Sequence, residues 1–340
     1  MPDSDSPPNI LAVRFSSIGD VLLTTPLLRA LRFRHPSARI TFVTKKPYVP
    51  LLSANPHVNE VVGISRDQGL WDLAEELRGH HFSHLLDLHD SLRSRALRAL
   101  VPGNWSSYPK HRIARAILIH TKQNVYRDPR PVAERYFSAA RALDVAPDGR
   151  PPDLFWDPPA ERRVLEWFQQ AGIPDVARPV AIAPGAAHAT KRWPLEYWEE
   201  LTRRLVAQGC HVIVVGGADD AALGSVLARS ASDQVHNAAG SFQLQETGAL
   251  LQRTSAVVSG DTGVMHIATA VGAPVVALFG PTVQPFGFFP YSKRASVLEL
   301  TMGCRPCTSK GGPRCPLGHH RCLRDITPEL VHEALCRTVL

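Results

Sequence analysis

The 340-residue sequence is poor in long apolar runs: no stretch approaches 18 consecutive apolar residues, so no membrane-spanning helix is predicted. The opening residues, MPDSDSPP, lack the basic and apolar regions of a signal peptide, and Arg14 interrupts the first hydrophobic stretch. Low-complexity tracts and repeats of roughly 20 to 50 residues are also missing. These absences predict a cytoplasmic protein made of ordinary globular domains.

Acidic residues are the scarcer charged class, with 31 Asp and Glu against 38 Lys and Arg, which gives a net charge of +7. Lysine is scarce in turn, since 31 of the 38 basic residues are Arg. The guanidinium group pairs well with phosphate and carboxylate, so the composition favours an anionic partner. Nucleic acid, an anionic membrane surface and a phosphorylated small molecule all remain open at this point.

Hydrophobic residues make up 44% of the chain, enough to fill folded cores, and the length favours two domains. In the first half, short aliphatic runs alternate with segments of helical periodicity. The predicted strands are residues 10–15, 39–44, 60–64 and 84–88, and the predicted helices are 20–34, 70–79 and 91–100. This order predicts a Rossmann-like α/β domain over residues 1–150, with a parallel sheet covered on both faces.

Five prolines within residues 145–159 predict a connection between domains, after which the alternation restarts. The predicted strands are 179–183, 211–215, 256–259 and 274–279, and the predicted helices are 194–207, 219–230, 243–253 and 262–271. They predict a second Rossmann-like domain over 160–326, followed by an amphipathic helix in 327–340. Two such domains are expected to enclose a cleft, with ligands outside the carboxyl ends of the strands.

The loop after the first predicted strand reads Ser16-Ser17-Ile18-Gly19-Asp20 and leads directly into an apolar helix. Gly19 permits a tight turn, and the N–H groups of a helix N-terminus favour a nearby anion. The segment is not G-x-G-x-x-G, which disfavours a nicotinamide dinucleotide. On the residues alone, Asp20 is more simply the N-cap of helix 20–34 than a catalytic group.

In the second half, Thr190, Lys191 and Arg192 precede Pro194, so they are expected in a loop at a helix N-terminus. A hydroxyl and two cations there suit a diphosphate, although a solvated basic loop is the commoner arrangement.

Residues 259–266, SGDTGVMH, cover the end of a predicted strand and the first turn of a helix. Asp261 is expected to cap that helix. Thr262, the Gly263 backbone and His266 would then present donors to phosphates at its N-terminus. A histidine in that position is, by itself, more often packed than functional.

Four of the six cysteines lie in one C-x2-C-x7-C-x6-C segment: Cys304, Cys307, Cys315 and Cys322. In a cytosolic chain of this size they are expected to be thiols or metal ligands rather than disulfides. One C-x2-C arm fits a tetrahedral thiolate site, but the other two cysteines are not paired at that spacing. A structural zinc ion, an iron–sulfur cluster and four reduced thiols all stay open.

Three segments resemble glycosyltransferase family 9, the ADP-heptose lipopolysaccharide heptosyltransferases: SSIGDVLLTTPLLRAL at the start, APGA followed by TKRWP in the middle, and SGDTGVMHIATAVGAPVVALFGPT near the end. The resemblance runs from about Ile10 to Pro328. It implies a GT-B fold in which the N-terminal domain binds the acceptor and the C-terminal domain binds the nucleotide sugar. The final helix often crosses back toward the first domain in that fold.

The resemblance also implies inverting, metal-independent transfer of heptose from ADP-L-glycero-β-D-manno-heptose to the lipopolysaccharide inner core. Asp20 matches the family's general base, with Ser17 and Gly19 beside it on the acceptor side. Thr190 and Lys191 match the family's phosphate contacts, with Arg192 as a further cation. The family's D-T-G-x-M-H element matches Asp261 through His266, which includes Thr262 and Gly263.

A basic segment follows the fourth predicted strand: residues 91–127 contain eight Lys or Arg and no acidic residue. It suits a phosphorylated, carboxylate-bearing sugar lipid at an anionic membrane. The resemblance implies that this acceptor is of the Kdo–lipid A type, at the inner leaflet of the inner membrane. Arg93, Arg95 and Arg98 are the leading acceptor contacts, and the resemblance favours Arg93. A solvated helix face explains Arg95 and Arg98 equally well.

Three other functions remain in view. A family 9 enzyme could use a different nucleotide sugar, and a sugar-nucleotide epimerase could share the two-domain build. A nucleic-acid-binding protein with a four-cysteine metal knuckle would also be basic. It is disfavoured because aromatic and basic residues do not interleave and no recognition-helix motif precedes the cysteines.

Overall fold

The computed structural model describes residues 7–174, 176–230 and 233–339. Residues 1–6, which carry most of the prediction about the N-terminus, lie outside the described residues, as does the last residue of the predicted 327–340 helix. Two compact units make up the chain. Unit 1 comprises Met1–Lys110 and Val132–Phe155, and unit 2 comprises His111–Pro131 and Trp156–Leu340.

The strands are β1 (Asn9–Val13), β2 (Arg39–Lys45), β3 (Glu60–Ile64), β4 (His84–Asp87), β5 (Trp105–Ser107), β6 (Val180–Ala183), β7 (Val212–Val214), β8 (Val235–Asn237), β9 (Ala256–Gly260), β10 (Val275–Phe279) and β11 (Ala295–Glu299). The helices are α1 (Ile18–Leu22), α2 (Thr25–Arg34), α3 (Leu70–Arg78), α4 (Leu92–Leu100), α5 (Arg112–Thr121), α6 (Val132–Arg135), α7 (Pro158–Gln170), α8 (Leu195–Ala207), α9 (Ala221–Ser230), α10 (Leu244–Gln252), α11 (Gly263–Ala270), α12 (Arg321–Arg324) and α13 (Pro328–Val339). Short 3₁₀ helices cover Lys46–Leu51, Tyr136–Leu143, Ala189–Lys191, Ala218–Asp220 and Gln284–Phe286.

Unit 1 contains a five-stranded parallel sheet in the order β3-β2-β1-β4-β5. β1 lies at its centre because its residues are almost all apolar, and Leu11 and Val13 are fully buried. Val13 is in register with both Val43 on β2 and Asp87 on β4. The chain therefore reverses its winding direction between β1 and β4, and the loops that follow these two strands lie side by side.

Unit 2 contains a six-stranded parallel sheet in the order β11-β10-β9-β6-β7-β8. Read from β8, this is the 3-2-1-4-5-6 order of a Rossmann fold, with the reversal between β6 and β9. The predicted class, two parallel-sheet α/β domains, is confirmed. Three short or partly exposed strands, β5, β8 and β11, are absent from the prediction because their sequences give little alternation or apolar signal.

The predicted helix 20–34 is wrong as a single element, since α1 ends at Leu22 and α2 begins at Thr25. Pro26 lies in the first turn of α2, where its missing N–H costs nothing, but it could not continue a helix from the preceding residues. The break leaves α1 as a short helix attached directly to the loop after β1.

The basic segment is divided between the two units, which differs from a continuous first domain over 1–150. Residues 111–131, with α5, group with unit 2, and residues 132–155 return to unit 1. Lys122 Nζ donates to the Pro306 carbonyl at 2.7 Å, and the Arg115 guanidinium lies 5.3 Å from the centre of the Phe286 ring. Local periodicity cannot reveal this exchange, because it depends on contacts with residues far along the chain.

The proline-rich stretch 145–159 is not a free connection. Arg29 is 2% exposed, and its guanidinium donates to Asp148 at 2.9 and 3.0 Å and contacts Asp153. A buried cation requires paired acceptors, so residues up to Phe155 are fixed on unit 1.

The last helix, α13, packs against α8 and against β9, β10 and β11, all within unit 2. The carbonyl of Ile326, just before α13, accepts the indole N–H of Trp193 at 2.8 Å. This buried tryptophan fixes the end of the loop that precedes α8.

Candidate active site

Asp20 lies at the point where the first sheet reverses, three residues into α1. Its Oδ2 accepts hydrogen bonds from Ser17 Oγ at 2.8 Å and from the Ser17 backbone N–H at 3.1 Å. The N-cap residue of α1 is Ser17, so the prediction that Asp20 itself is the N-cap is wrong by three positions. The carboxylate nevertheless caps the helix from its third residue and remains 17% exposed.

Arg14 contacts the other oxygen of the same carboxylate. Its guanidinium is 6% exposed and also donates to the Leu88 carbonyl at 2.7 Å and to the Ser16 carbonyl at 2.9 Å. Burial lowers the pKa of Arg14, but the Asp20 charge and two neighbouring tyrosines raise it, and the net change is upward. A fixed cation therefore holds Asp20 in one orientation.

His89, just after β4, completes this group and was missed by sequence reasoning. Its Nδ1 accepts the Phe15 backbone N–H at 3.1 Å, which places the ring proton of the neutral form on Nε2. Burial, followed by the charges of Arg14 and Lys110, lowers the pKa of His89 to about 3. The imidazole is thus a neutral hydrogen-bond donor. The D-L-H-D order after the strand was the available signal.

The three predicted acceptor arginines have different surroundings. Arg93 lies 5.6 Å from the centre of the Phe15 ring, beside the Asp20 loop. Arg95 pairs with Asp90 at 2.8 Å on the surface. Arg98 lies 3.9 Å from the fully buried Asp87 carboxylate and lines a cavity of about 610 Å³. Only Arg93 of the three packs against the loop that carries Asp20.

A second group lies at the reversal point of the second sheet. Lys191 Nζ contacts Asp261 Oδ2 at 2.6 Å, and the Thr282 hydroxyl donates to the same oxygen at 2.7 Å. Lys191 follows β6, Asp261 follows β9 and Thr282 follows β10, so the three loops converge at the carboxyl edge. Both ionic side chains are mostly buried, at 13% and 10% exposed.

Asp261 does not cap α11, contrary to the prediction. Thr262 occupies the N-cap position, and its hydroxyl lies 3.0 Å from that of Ser259. Gly263 is the first residue of α11, and His266 is buried one turn further on, at 5% exposed. The Asp261 carboxylate pairs with Lys191 instead. The long lysine side chain reaches the end of β9, where Asp261 lies just before α11 begins.

Thr190 is 4% exposed, and its hydroxyl is turned toward residues 311–312. Arg192 is exposed and donates to the Ala186 carbonyl at 2.9 Å. Burial, followed by the charges of Lys191 and Lys310, lowers the pKa of His188. Lys310 is therefore a further cation near this group that sequence reasoning missed.

The four clustered cysteines are free thiols. The Cys307 thiol donates to the Cys304 carbonyl at 3.3 Å. Burial, followed by the nearby thiols, raises the pKa of Cys322 to about 11. Within residues 7–174, 176–230 and 233–339, no three His, Cys, Asp or Glu side chains are arranged to hold a metal ion. The thiols are neighbours, then, without forming a tetrahedral set in this conformation.

Among the described residues, no helix is both long enough and apolar enough to cross a bilayer.

The two parallel-sheet units, each with charged loops at its reversal point, have the fold of GT-B glycosyltransferases. Over residues 70–316 the sequence matches the model of glycosyltransferase family 9 (heptosyltransferase). The chain belongs to this family and is a glycosyltransferase.

Comparison with relatives covers nearly the whole chain. The lipopolysaccharide heptosyltransferase 2 of Salmonella typhimurium is 32% identical over 96% of this chain and 97% of its own length. A family 9 glycosyltransferase from Veillonella parvula superposes with a TM-score of 0.83, at 23% identity over 98% of this chain and 97% of that one. The E. coli ADP-heptose lipopolysaccharide heptosyltransferase II superposes with a TM-score of 0.75, at 26% identity over 97% and 98%.

Proposed function

We propose that the protein transfers L-glycero-D-manno-heptose from ADP-heptose to the inner core of lipopolysaccharide, with inversion at the anomeric carbon. The observation that carries the proposal is the Asp20 carboxylate, held by Arg14 and Ser17 at the reversal point of the first sheet. The names of the relatives, which are lipopolysaccharide and lipooligosaccharide heptosyltransferases, support the donor and acceptor classes.

Asp20 acts as the general base in this proposal. An inverting displacement forms the new bond as the acceptor hydroxyl loses its proton, and a carboxylate within hydrogen-bond reach accepts it. Ser17 and the Gly19 backbone border the same carboxylate and would contact the acceptor. Arg93, packed over Phe15, would bind an anionic group of the acceptor, whereas Arg95 and Arg98 would add to the basic surface.

The Lys191 group would bind the diphosphate of the donor. The leaving ADP develops negative charge, which a cation and helix N-terminal N–H groups stabilise in a site with little water. Lys191 and Arg192 would supply the positive charge, and Thr262, Gly263 and His266 would supply donors at the start of α11. Asp261 would hold Lys191 in place until the diphosphate arrives.

The four cysteines have no part in this chemistry. We assign them a structural role in the segment 304–322, in which a zinc ion or an iron–sulfur cluster would require the thiols to draw together. Metal analysis and a visible spectrum of anaerobically purified protein test this. One metal per chain supports a structural metal, and metal-free protein with full turnover supports four thiols.

The acceptor places the reaction at the cytoplasmic face of the inner membrane, where the protein would bind peripherally. The basic segment supports this, since α5 exposes Arg112 and Ile113 on its surface. Binding to vesicles that contain anionic lipid should weaken as salt screens the charges. Salt-independent binding would contradict an electrostatic attachment.

A thermal-shift comparison of ADP-, UDP-, GDP- and CMP-sugars tests the donor, because only a ligand that prefers the native state raises the melting temperature. ADP-heptose is expected to give the largest shift. Incubation with ADP-heptose and Kdo–lipid A acceptors, with or without a first heptose, should then yield a heptosylated product and ADP. A larger shift in melting temperature with another nucleotide sugar would identify that sugar as the donor. An isomerised free sugar nucleotide as the product would show that the protein is an epimerase and not a transferase.

A further inference from the structure

The loop that carries the cysteines packs directly on the Lys191 group. We call residues 301–320, which contain Cys304, Cys307 and Cys315 and end just before α12, the cysteine loop. Each polar group of Thr190 forms a hydrogen bond with the cysteine loop. The Thr190 N–H donates to the Gly312 carbonyl at 3.1 Å, and its hydroxyl oxygen accepts the Gly312 N–H at 2.9 Å. The residue immediately before Lys191 is thus fixed by a segment more than a hundred residues away.

The Thr190 carbonyl is held by His320, whose Nε2 lies 3.0 Å from it. A carbonyl oxygen only accepts hydrogen bonds, so Nε2 of His320 must carry the proton. Gly311 allows this close packing: its φ is +102°, and a Cβ there would lie 2.8 Å from the His188 Cβ. Any larger residue at position 311 would push the loop away from the Lys191 segment.

The cysteine loop also holds the other side of the group through Arg305. This guanidinium is almost fully buried and donates to the carbonyls of Thr282 at 2.7 Å and Phe279 at 3.2 Å, and it contacts that of Gly280. Thr282 is the residue whose hydroxyl binds Asp261. The cysteine loop therefore holds the backbone just before Lys191 and also the backbone of Thr282, whose hydroxyl binds Asp261.

We propose that the cysteine loop sets the position of Lys191 for binding the donor diphosphate, with His320 as a positioning residue that acts through Thr190. This rests on the proposed function, because it takes Lys191 as the diphosphate ligand. The physical basis is that a lysine side chain already loses conformational freedom when it binds an anion, so a backbone that also had to be ordered on binding would lower the affinity further. Within this scheme the loop makes no contact with the reacting atoms.

The test is ADP binding by titration calorimetry to the full-length protein. His320→Ala is expected to weaken ADP binding about 3- to 10-fold, the loss that follows from one hydrogen bond. His320→Gln should restore binding to within about twofold, because its amide N–H can reach the place of Nε2. His319→Ala is the matched control, since that ring accepts the Arg321 N–H and does not hold Thr190.

A double-mutant cycle separates positioning from general stabilisation. In the Lys191→Met background, the His320→Ala change should have almost no further effect on ADP binding. An equal loss in both backgrounds, or wild-type ADP affinity in His320→Ala, would overturn the inference while the proposed function stands. Wild-type affinity in Lys191→Met alone would overturn the diphosphate assignment and the inference with it. Should His320→Ala not fold, His320→Asn, whose amide is too short to reach Thr190, takes its place against His320→Gln.

Discussion

The guanidinium of Arg14 and the carboxylate of Asp20 form an ion pair in which the cation is buried and the anion is partly exposed. Arg14 is held on its other side by the Leu88 and Ser16 carbonyls and by the Tyr108 hydroxyl at 3.3 Å. The cation cannot follow the carboxylate if Asp20 moves, so it fixes the orientation of the Asp20 side chain.

Asp20→Asn should abolish most turnover in a protein that still folds, with a lowered melting temperature because buried Arg14 loses its anionic partner. Asparagine keeps the hydrogen bonds to Ser17 but cannot accept the proton, so kcat should fall about 10²- to 10⁴-fold. The control is Asp72→Asn, because Asp72 accepts the Gly69 N–H at the start of α3 in the same way. Steady-state kinetics and thermal melts of both variants check this. Near wild-type turnover in a folded Asp20→Asn protein would disprove the base assignment.

Arg14→Lys tests whether orientation matters as well as charge. Lysine keeps the positive charge but cannot reach two carbonyls and a carboxylate at once. We expect kcat to fall about 10-fold or more, and the free energy of unfolding to fall by about 2–4 kcal/mol, because buried acceptors lose their donors. Kinetics and urea unfolding measure the two effects. Unchanged kcat together with lost stability would show that Arg14 is only structural.

Lys191→Met should raise the KM for the donor about 10- to 100-fold, because a cation that binds a diphosphate in a partly buried site is lost. Methionine keeps most of the apolar length of the side chain. Lys293→Met is the control, since Lys293 is exposed outside the three loops of the Lys191 group. Donor and acceptor KM values are measured separately. A change confined to the acceptor KM would contradict the assignment.

Stability should fall in mild acid because of His89. Its pKa is about 3 in the folded protein and about 6.5 in an unfolded chain, so the unfolded state binds more protons between these values. The free energy of unfolding should therefore decrease as the pH drops below about 6.5. His89→Gln, which does not titrate, should show a shallower decrease. Urea unfolding from pH 7 to pH 4 measures both proteins, and identical slopes would remove His89 as the cause.

Arg29→Met should cost about 2–4 kcal/mol of unfolding free energy, since two carboxylates lose a buried partner. Burial raises the pKa of Asp148, but hydrogen bonds from Arg29 and the Arg150 backbone outweigh it, and the net shift is downward. The pairing of Asp148 with Arg29 stabilises the protein above the pKa that Asp148 has in the unfolded chain. This stabilisation is lost as the pH falls through the lower pKa of Asp148 in the folded protein. The Arg29→Met variant should thus have a lower free energy of unfolding than the wild type at pH 7, and this free energy should decrease less on acidification. Turnover per folded molecule should stay near wild type.

Much of the site was visible in the sequence because loops at strand ends have a local signature. The glycine and aspartate after β1, and the hydroxyl, lysine and arginine after β6, follow buried apolar runs that predict strands without any long-range information. The two-domain α/β class followed from the same alternation. Helix boundaries were less accurate where a proline interrupted an apolar run, as between α1 and α2.

Partners of these residues depend on distant parts of the chain. The sequence by itself determined which residues stand at the ends of the parallel strands, because the strand and helix periods are local and the carboxyl ends of such strands share one edge. Only the tertiary structure decided that Asp261 binds Lys191 instead of capping α11, that His89 accepts the Phe15 N–H, and that the cysteine loop grips Thr190. Such pairings result from the packing of segments that are far apart in the chain, and no local pattern encodes a distance in space.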